Sequence, residues 1–139
     1  MSVKIQPDDQ LKACAATGGV VCINGVSRFL NCAEASPQSM VEAIDYLVQL
    51  LGPEHVGLGL DYVYDSHLDK GPDNLDLAHW WPPEAGYNKA SDGFLNILYA
   101  PPERFLEMTS LLQQRGYKHS DIEAIYSTNM HSLAKSIWR

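Results

Sequence analysis

Positive charge is scarce in this 139-residue sequence: ten Lys and Arg stand against seventeen Asp and Glu, for a formal net charge of −7. A nucleic-acid-binding surface or a face for anionic lipid needs clustered cations. No basic, aromatic-interleaved stretch supplies them, so neither nucleic acid nor membrane is expected as a partner. Long apolar runs are missing too, none approaching the ~18 residues needed to cross a bilayer. Met1 to Asp9 lacks the charged start, apolar run and small-residue cleavage site of a secretory signal. Cysteine is limited to Cys14, Cys22 and Cys32, an odd number in no zinc-site spacing. Cys22 lies in an apolar stretch where a buried free thiol is the expected state, and a cytoplasmic location suits such a chain. There is no Gly-x-Ser-x-Gly elbow for a serine hydrolase. Gly18-Gly19 precedes an apolar run instead of opening a helix, so it reads as a helix stop and not a phosphate cradle.

What is present is a globular composition, 45% hydrophobic and 19% charged, which supports a packed core. The length suits one domain and falls well short of the ~250 residues typical of a complete (β/α)8 barrel. Pro7-Asp8-Asp9 opens a first helix, because proline is tolerated in the first turn and acidic residues favour the positive helix end. Leu11, Cys14 and Ala15 are expected to form its apolar face. After Thr17-Gly18-Gly19, the run Val20-Val21-Cys22-Ile23-Asn24 reads as a strand apolar enough to be buried on both faces. Ser36 is an N-cap and Pro37 a first helical residue. Val41, Ile44, Leu47, Val48 and Leu51 then recur at helical spacing until Gly52-Pro53.

The next run, His55-Val56-Gly57-Leu58-Gly59-Leu60-Asp61-Tyr62, is a short apolar strand with two glycines and a carboxylate at its C-terminal end. Strand, helix and strand in about forty residues make one right-handed parallel βαβ unit. Residues 62–101 read as a long loop or lid, with Pro72, Pro82, Pro83, Pro101 and the cluster His79-Trp80-Trp81. Pro102 starts a helix with the face Phe105, Met108, Leu111 and Leu112, ending at Gly116. Ser120-Asp121-Ile122-Glu123 reads as a capping box for a last helix. Leu133, Ile137 and Trp138 continue its apolar stripe, with a break near Asn129. Two parallel strands leave two uncovered sheet edges, which native proteins avoid, so further strands are expected from other polypeptide.

Several of these segments together resemble the membrane (renal) dipeptidase family of zinc metallopeptidases, peptidase family M19, and its bacterial members in particular. The resemblance rests on Pro7-Asp8-Asp9-Gln10-Leu11, Thr17-Gly18-Gly19-Val20-Val21, His55 to Tyr62 and Arg115-Gly116-Tyr117, all in family order, with Ile122 to Trp138 similar to the family's final helix. It implies an α/β fold, with residues 1–139 forming the C-terminal portion of a (β/α)8 (TIM-like) barrel. Its parallel strands alternate with helices, and the long loop follows the last strand. It also implies hydrolysis of dipeptides by water activated on two bridged zinc ions. The family's metal ligands, a His-x-Asp pair, a bridging glutamate and two later histidines, would all lie upstream of this sequence. No metal ligand is therefore expected here, and His55 has no metal role in the family pattern.

The resemblance carries one catalytic and substrate-binding residue directly. Asp61 matches the aspartate that faces the metal centre and handles the substrate's amino group. A carboxylate at a strand end can pair with an ammonium and steer a proton. The ordinary alternatives are a helix cap or a structural ion pair. Two substrate-binding positions depart from the pattern. The family's substrate-carboxylate arginine aligns near Lys4, and lysine lacks the bidentate fork. A tyrosine that polarises the scissile carbonyl in some members falls at Phe29, which has no hydroxyl.

Other clusters have plainer explanations. Asp65, His67, Asp69, Asp73, Asp76 and His79 are not spaced to place ligands on one face and read as a solvated acidic loop. Trp80-Trp81 either closes over a substrate or anchors the loop on the core. His119 and His131 read as helix-surface residues. The expected function is that of a zinc dipeptidase-family chain acting on dipeptides, inactive alone because it lacks the ligands and completed by a missing N-terminal half. The alternative is a non-enzymatic remnant that pairs its sheet edges in a homo-oligomer or with another partner.

Overall fold

The computed structural model describes residues 7–27, 29–32, 34–62 and 98–138. Lys4, the acidic run Asp65 to Asp76, His79 and Trp80-Trp81 lie outside them. Among the described residues the order is α1 (Asp8–Ala16), β1 (Val21–Asn24), α2 (Pro37–Leu51), β2 (Val56–Gly59), α3 (Phe105–Gln114), α4 (His119–Glu123), a π-helical turn (Ala124–Thr128) and α5 (Asn129–Ile137). The strands pair in parallel, Val21 against Val56 through Asn24 against Gly59, with α2 as the crossover. The expected βαβ unit is present in a mixed α/β fold.

Local chemistry accounts for α2. The Ser36 hydroxyl accepts the Ser39 amide at 3.2 Å, and Pro37 occupies the first turn. Such a cap contributes about 1 kcal/mol. Met40, Val41, Ala43, Ile44 and Leu47 are wholly buried, so the helix supplies the centre of the core. Gly52 ends it at φ +90°, where a built Cβ would run into the Glu54 carboxylate. Helix α2 packs on β1 and β2 through Ile23 and Val56, and on α3 through Met108 and Leu112, all nearly or fully buried. Arg115 and the Tyr117 hydroxyl, the latter at 2.8 Å, both bind Asp45 of α2 and fasten the end of α3 to it.

Four sequence expectations are corrected. Cys14 is exposed, and Leu11 is the buried residue of α1, because a single helical turn suffices to dock so short a helix. Strand β1 is not buried on both faces among the described residues. Ile23 is fully buried on the helix side, whereas Val21, Cys22 and Asn24 are only partly covered. Ser120 forms no capping box: α4 begins at His119 without a side-chain cap, and the Ser120 hydroxyl instead faces Asp121. The stripe of α5 also differs from a buried one, with Ile137 63% and Trp138 80% exposed.

The break near Asn129 is real and takes a specific form. The wide turn Ala124–Thr128 precedes α5, and Asn129 Nδ2 then donates to the carbonyls of Pro53 at 2.7 Å and Val56 at 2.8 Å. This ties the last helix to the N-terminal end of β2.

Candidate functional site

The C-terminal ends of β1 and β2 lie side by side, and the chemistry-bearing residues of the described fold meet there. Side chains alternate along a strand. With Ile23 on the helix side, Cys22 and Asn24 belong to the opposite face. The glycines of β2 serve that face differently. A Cβ built on Gly57 would lie 2.9 Å from Cys22 Sγ, 3.1 Å from Val20 Cγ1 and 3.4 Å from Met130 Cγ, so Gly57 is needed for close packing. A Cβ on Gly59 would meet only Cys22 Cβ at 3.6 Å, which leaves the neighbourhood of Asn24 open. Burial, with a smaller contribution from Cys14, pushes the Cys22 thiol up, so it is a poor nucleophile.

Asp61 follows β2 by two residues and is exposed. Its φ of +56° is in the left-handed region, which aspartate tolerates better than most side chains. Among the described residues it forms no ion pair and caps no helix. Its Oδ2 faces Asn24 Nδ2 at 3.5 Å, a long contact, while Asn24 Oδ1 accepts the Val26 amide at 2.9 Å. No sequence motif marks Asn24. The available signal was a polar residue closing an apolar strand, the same feature that singles out Asp61.

The chain leaving β1 and the chain returning at Leu98 are stitched together beside these strand ends. Ala100 donates to Gly25 O at 2.7 Å, Ser27 donates to Leu98 O at 2.8 Å, and Leu98 donates back to the Ser27 hydroxyl at 3.2 Å. Val26 and Tyr99 form an antiparallel bridge. Gly25 is required at this crossing, since a Cβ there would lie 2.7 Å from Leu60 O and 3.3 Å from Ala100 Cβ. Phe29 sits in the turn that follows, 49% exposed, at the same end of the sheet as Asp61. Lys4, its companion in the sequence reading, is not among the described residues.

A groove of about 480 Å³ lies between the N-terminal ends of α2 and α3, lined by Ser36, Gln38, Tyr99, Arg104 and Glu107 among others, and Asp61 takes no part in it. Arg104 is engaged with Glu107 at 3.4 Å. His55 lies at the other end of β2, its Nδ1 2.9 Å from Gly19 O. His119 and His131 are exposed. Among the described residues no three His, Cys, Asp or Glu side chains are grouped so as to hold a metal ion, and no helix is long and apolar enough to cross a membrane.

A parallel strand-helix-strand unit with polar side chains gathered at the C-terminal ends of its strands is an arrangement of α/β proteins, which place functional groups at that edge. The chain belongs to the membrane dipeptidase family, peptidase family M19, whose family model matches residues 4–76. It is 35% identical over 72 residues to "Dipeptidase aclJ" of Aspergillus oryzae, a match covering 50% of this chain and 17% of that protein. It is 37% identical over 60 residues to "Uncharacterized protein in pqqA 5'region" of Klebsiella pneumoniae, covering 40% of this chain and 22% of that protein. The chain thus matches about a fifth of the length of these curated relatives. Among solved structures, an amidohydrolase from Pseudomonas aeruginosa superimposes with a TM-score of 0.67 at 24% identity, covering 94% of this chain and 40% of that one. That last likeness concerns the fold alone.

Proposed function

We propose that this chain forms the last part of a (β/α)8 barrel of dipeptidase type, in which Asp61 faces the amino end of a dipeptide. The observation that carries the reading is the placement of Asp61: an exposed carboxylate, free of any ion pair among the described residues, at the C-terminal rim of a parallel strand pair. Barrel enzymes keep their chemistry at this rim. A carboxylate there can hold a substrate ammonium and accept or return a proton as an amide bond is cleaved. Phe29, exposed at the same end of the sheet, has no hydroxyl to offer the scissile carbonyl, a departure from the family pattern at this position.

The zinc ions implied by the family do not fit the described residues, which contain no grouping of metal ligands. On this reading the ligands belong to polypeptide that completes the barrel, and the isolated chain is inactive. Two features support completion from outside: the sheet of the described residues has only two strands, and the superimposed amidohydrolase is covered over only 40% of its chain. Hydrolysis of glycyl and alanyl dipeptides, with and without added zinc, tests the proposal. The isolated chain should show no turnover. A longer polypeptide that includes the preceding strands should be active and should lose activity on Asp61→Ala. Zinc-dependent turnover by the isolated chain, or full activity of the long Asp61→Ala variant, would overturn it.

A further inference from the structure

We infer that Asn24 is the positioning residue for Asp61, holding one carboxylate oxygen so that the other is presented at the rim. The inference rests on the reading of Asp61 as the amine-facing carboxylate, but its geometry stands apart from that reading. Asn24 closes β1 in register with Gly59, a partner with no side chain to intervene. Its amide cannot be turned over without loss. Oδ1 accepts the Val26 amide at 2.9 Å, which leaves Nδ2 directed at Asp61 Oδ2, 3.5 Å away. The reversed amide would set NH2 against a backbone N–H and a carbonyl against a carboxylate.

Asp61 meets this donor because its backbone turns into the left-handed region at φ +56° two residues after the strand. An extended residue would carry the side chain along the alternation of the strand. A long neutral-donor contact at an exposed site is weak in free energy. Its consequence is orientation: it selects one χ1 rotamer of Asp61 before any ligand arrives, which is how a supporting residue contributes to a site. The Val26 amide in turn fixes Asn24, and Val26 is itself pinned by its bridge to Tyr99. A short chain of contacts therefore runs from the anchored loop to the carboxylate.

The test is NMR on the full 139-residue chain, reading the three-bond couplings that report χ1 of Asp61 together with the Val26 amide signal. In the parent chain the couplings should correspond to one staggered rotamer. Asn24→Asp is nearly isosteric and retains the acceptor for Val26, so the Val26 signal should stay near its parent position while the Asp61 couplings become averaged. Asn24→Ala should average the couplings and shift Val26 as well. Unchanged Asp61 couplings in folded Asn24→Asp would overturn the inference, as would averaged couplings in the parent. Neither outcome depends on dipeptide hydrolysis, so this proposal and the dipeptidase reading can fail separately.

Discussion

Asn129 donates from one amide nitrogen to the carbonyl oxygens of both Pro53 and Val56, at 2.7 and 2.8 Å, and so clamps the last helix to the start of β2. Val56 is fully buried, and both contacts are part-buried. Asn129→Ala should therefore destabilise the chain by about 1–3 kcal/mol, the range for orphaned buried acceptors. A lower urea midpoint at unchanged m-value checks this.

Gly25 should be irreplaceable for a steric reason. Its built Cβ falls 2.7 Å from Leu60 O and 3.2 Å from Leu60 Cα, and both are backbone atoms that cannot swing aside. Gly25→Ala should lower stability by about 1–3 kcal/mol, as overpacking does. Thermal unfolding followed by circular dichroism would show the loss. A midpoint equal to the parent's would mean that the crossing is slacker than described.

Ser27 is 4% exposed and its hydroxyl accepts the Leu98 amide at 3.2 Å. Ser27→Ala should cost about 1 kcal/mol globally. It should accelerate hydrogen exchange at Leu98 more than at Ala100, whose amide keeps its bond to Gly25 O. Equal acceleration at both amides would argue against a local anchor.

Asp61 and its left-handed backbone make a contrast between two substitutions informative. Glycine adopts φ near +56° without strain, whereas alanine lacks the local hydrogen bonding that lets aspartate tolerate it. Asp61→Gly should therefore be more stable than Asp61→Ala by about 1 kcal/mol. Parallel urea titrations of the two variants decide the matter.

Alkaline pH should weaken the fold. Burial, reinforced by the hydrogen bond to Asp45, pushes the Tyr117 hydroxyl above its ordinary value of 10.0. Burial also raises Tyr126. Such groups remain protonated in the folded chain after the unfolded chain has ionised. Their contribution to stability is then fully present below pH 10 and falls as pH rises from there toward the folded-state values. Urea midpoints measured from pH 8 to 11 should begin to decline above about 9, where the raised Cys22 thiol contributes, and fall further above about 10, the ordinary tyrosine value. The decline should be shallower in Tyr117→Phe.

The helices and the parallel unit were legible because they rest on short-range chemistry. Ser36-Pro37 and Gly52 bracket α2, and Met108 with Leu112 marks the buried side of α3. Asp61 could be singled out because a carboxylate at the end of an apolar glycine-containing strand is unusual. Asn24 could not, since its meaning depends on register with β2 and on a positive φ thirty-seven residues away. The capping-box reading failed at Ser120 because the helix begins two residues earlier than its pattern suggests. Tertiary contacts chose that start. The double bond from Asn129 likewise joins residues more than seventy positions apart, beyond the reach of any local pattern.

The wide turn at Ala124–Thr128 has a consequence for insertion and deletion. One residue rotates a regular helix by ~100°, and a π turn carries one residue more than an α turn of the same rise. Ile125, 1% exposed, must point into the core while Asn129, four positions on, must reach β2. Winding the same residues as regular α-helix would carry the amide one residue's rotation, ~100°, off its two carbonyls, whereas deleting one residue within the turn would restore ordinary winding and leave the amide near its place. The surplus residue is therefore taken up within 124–128 and is not passed on to α5.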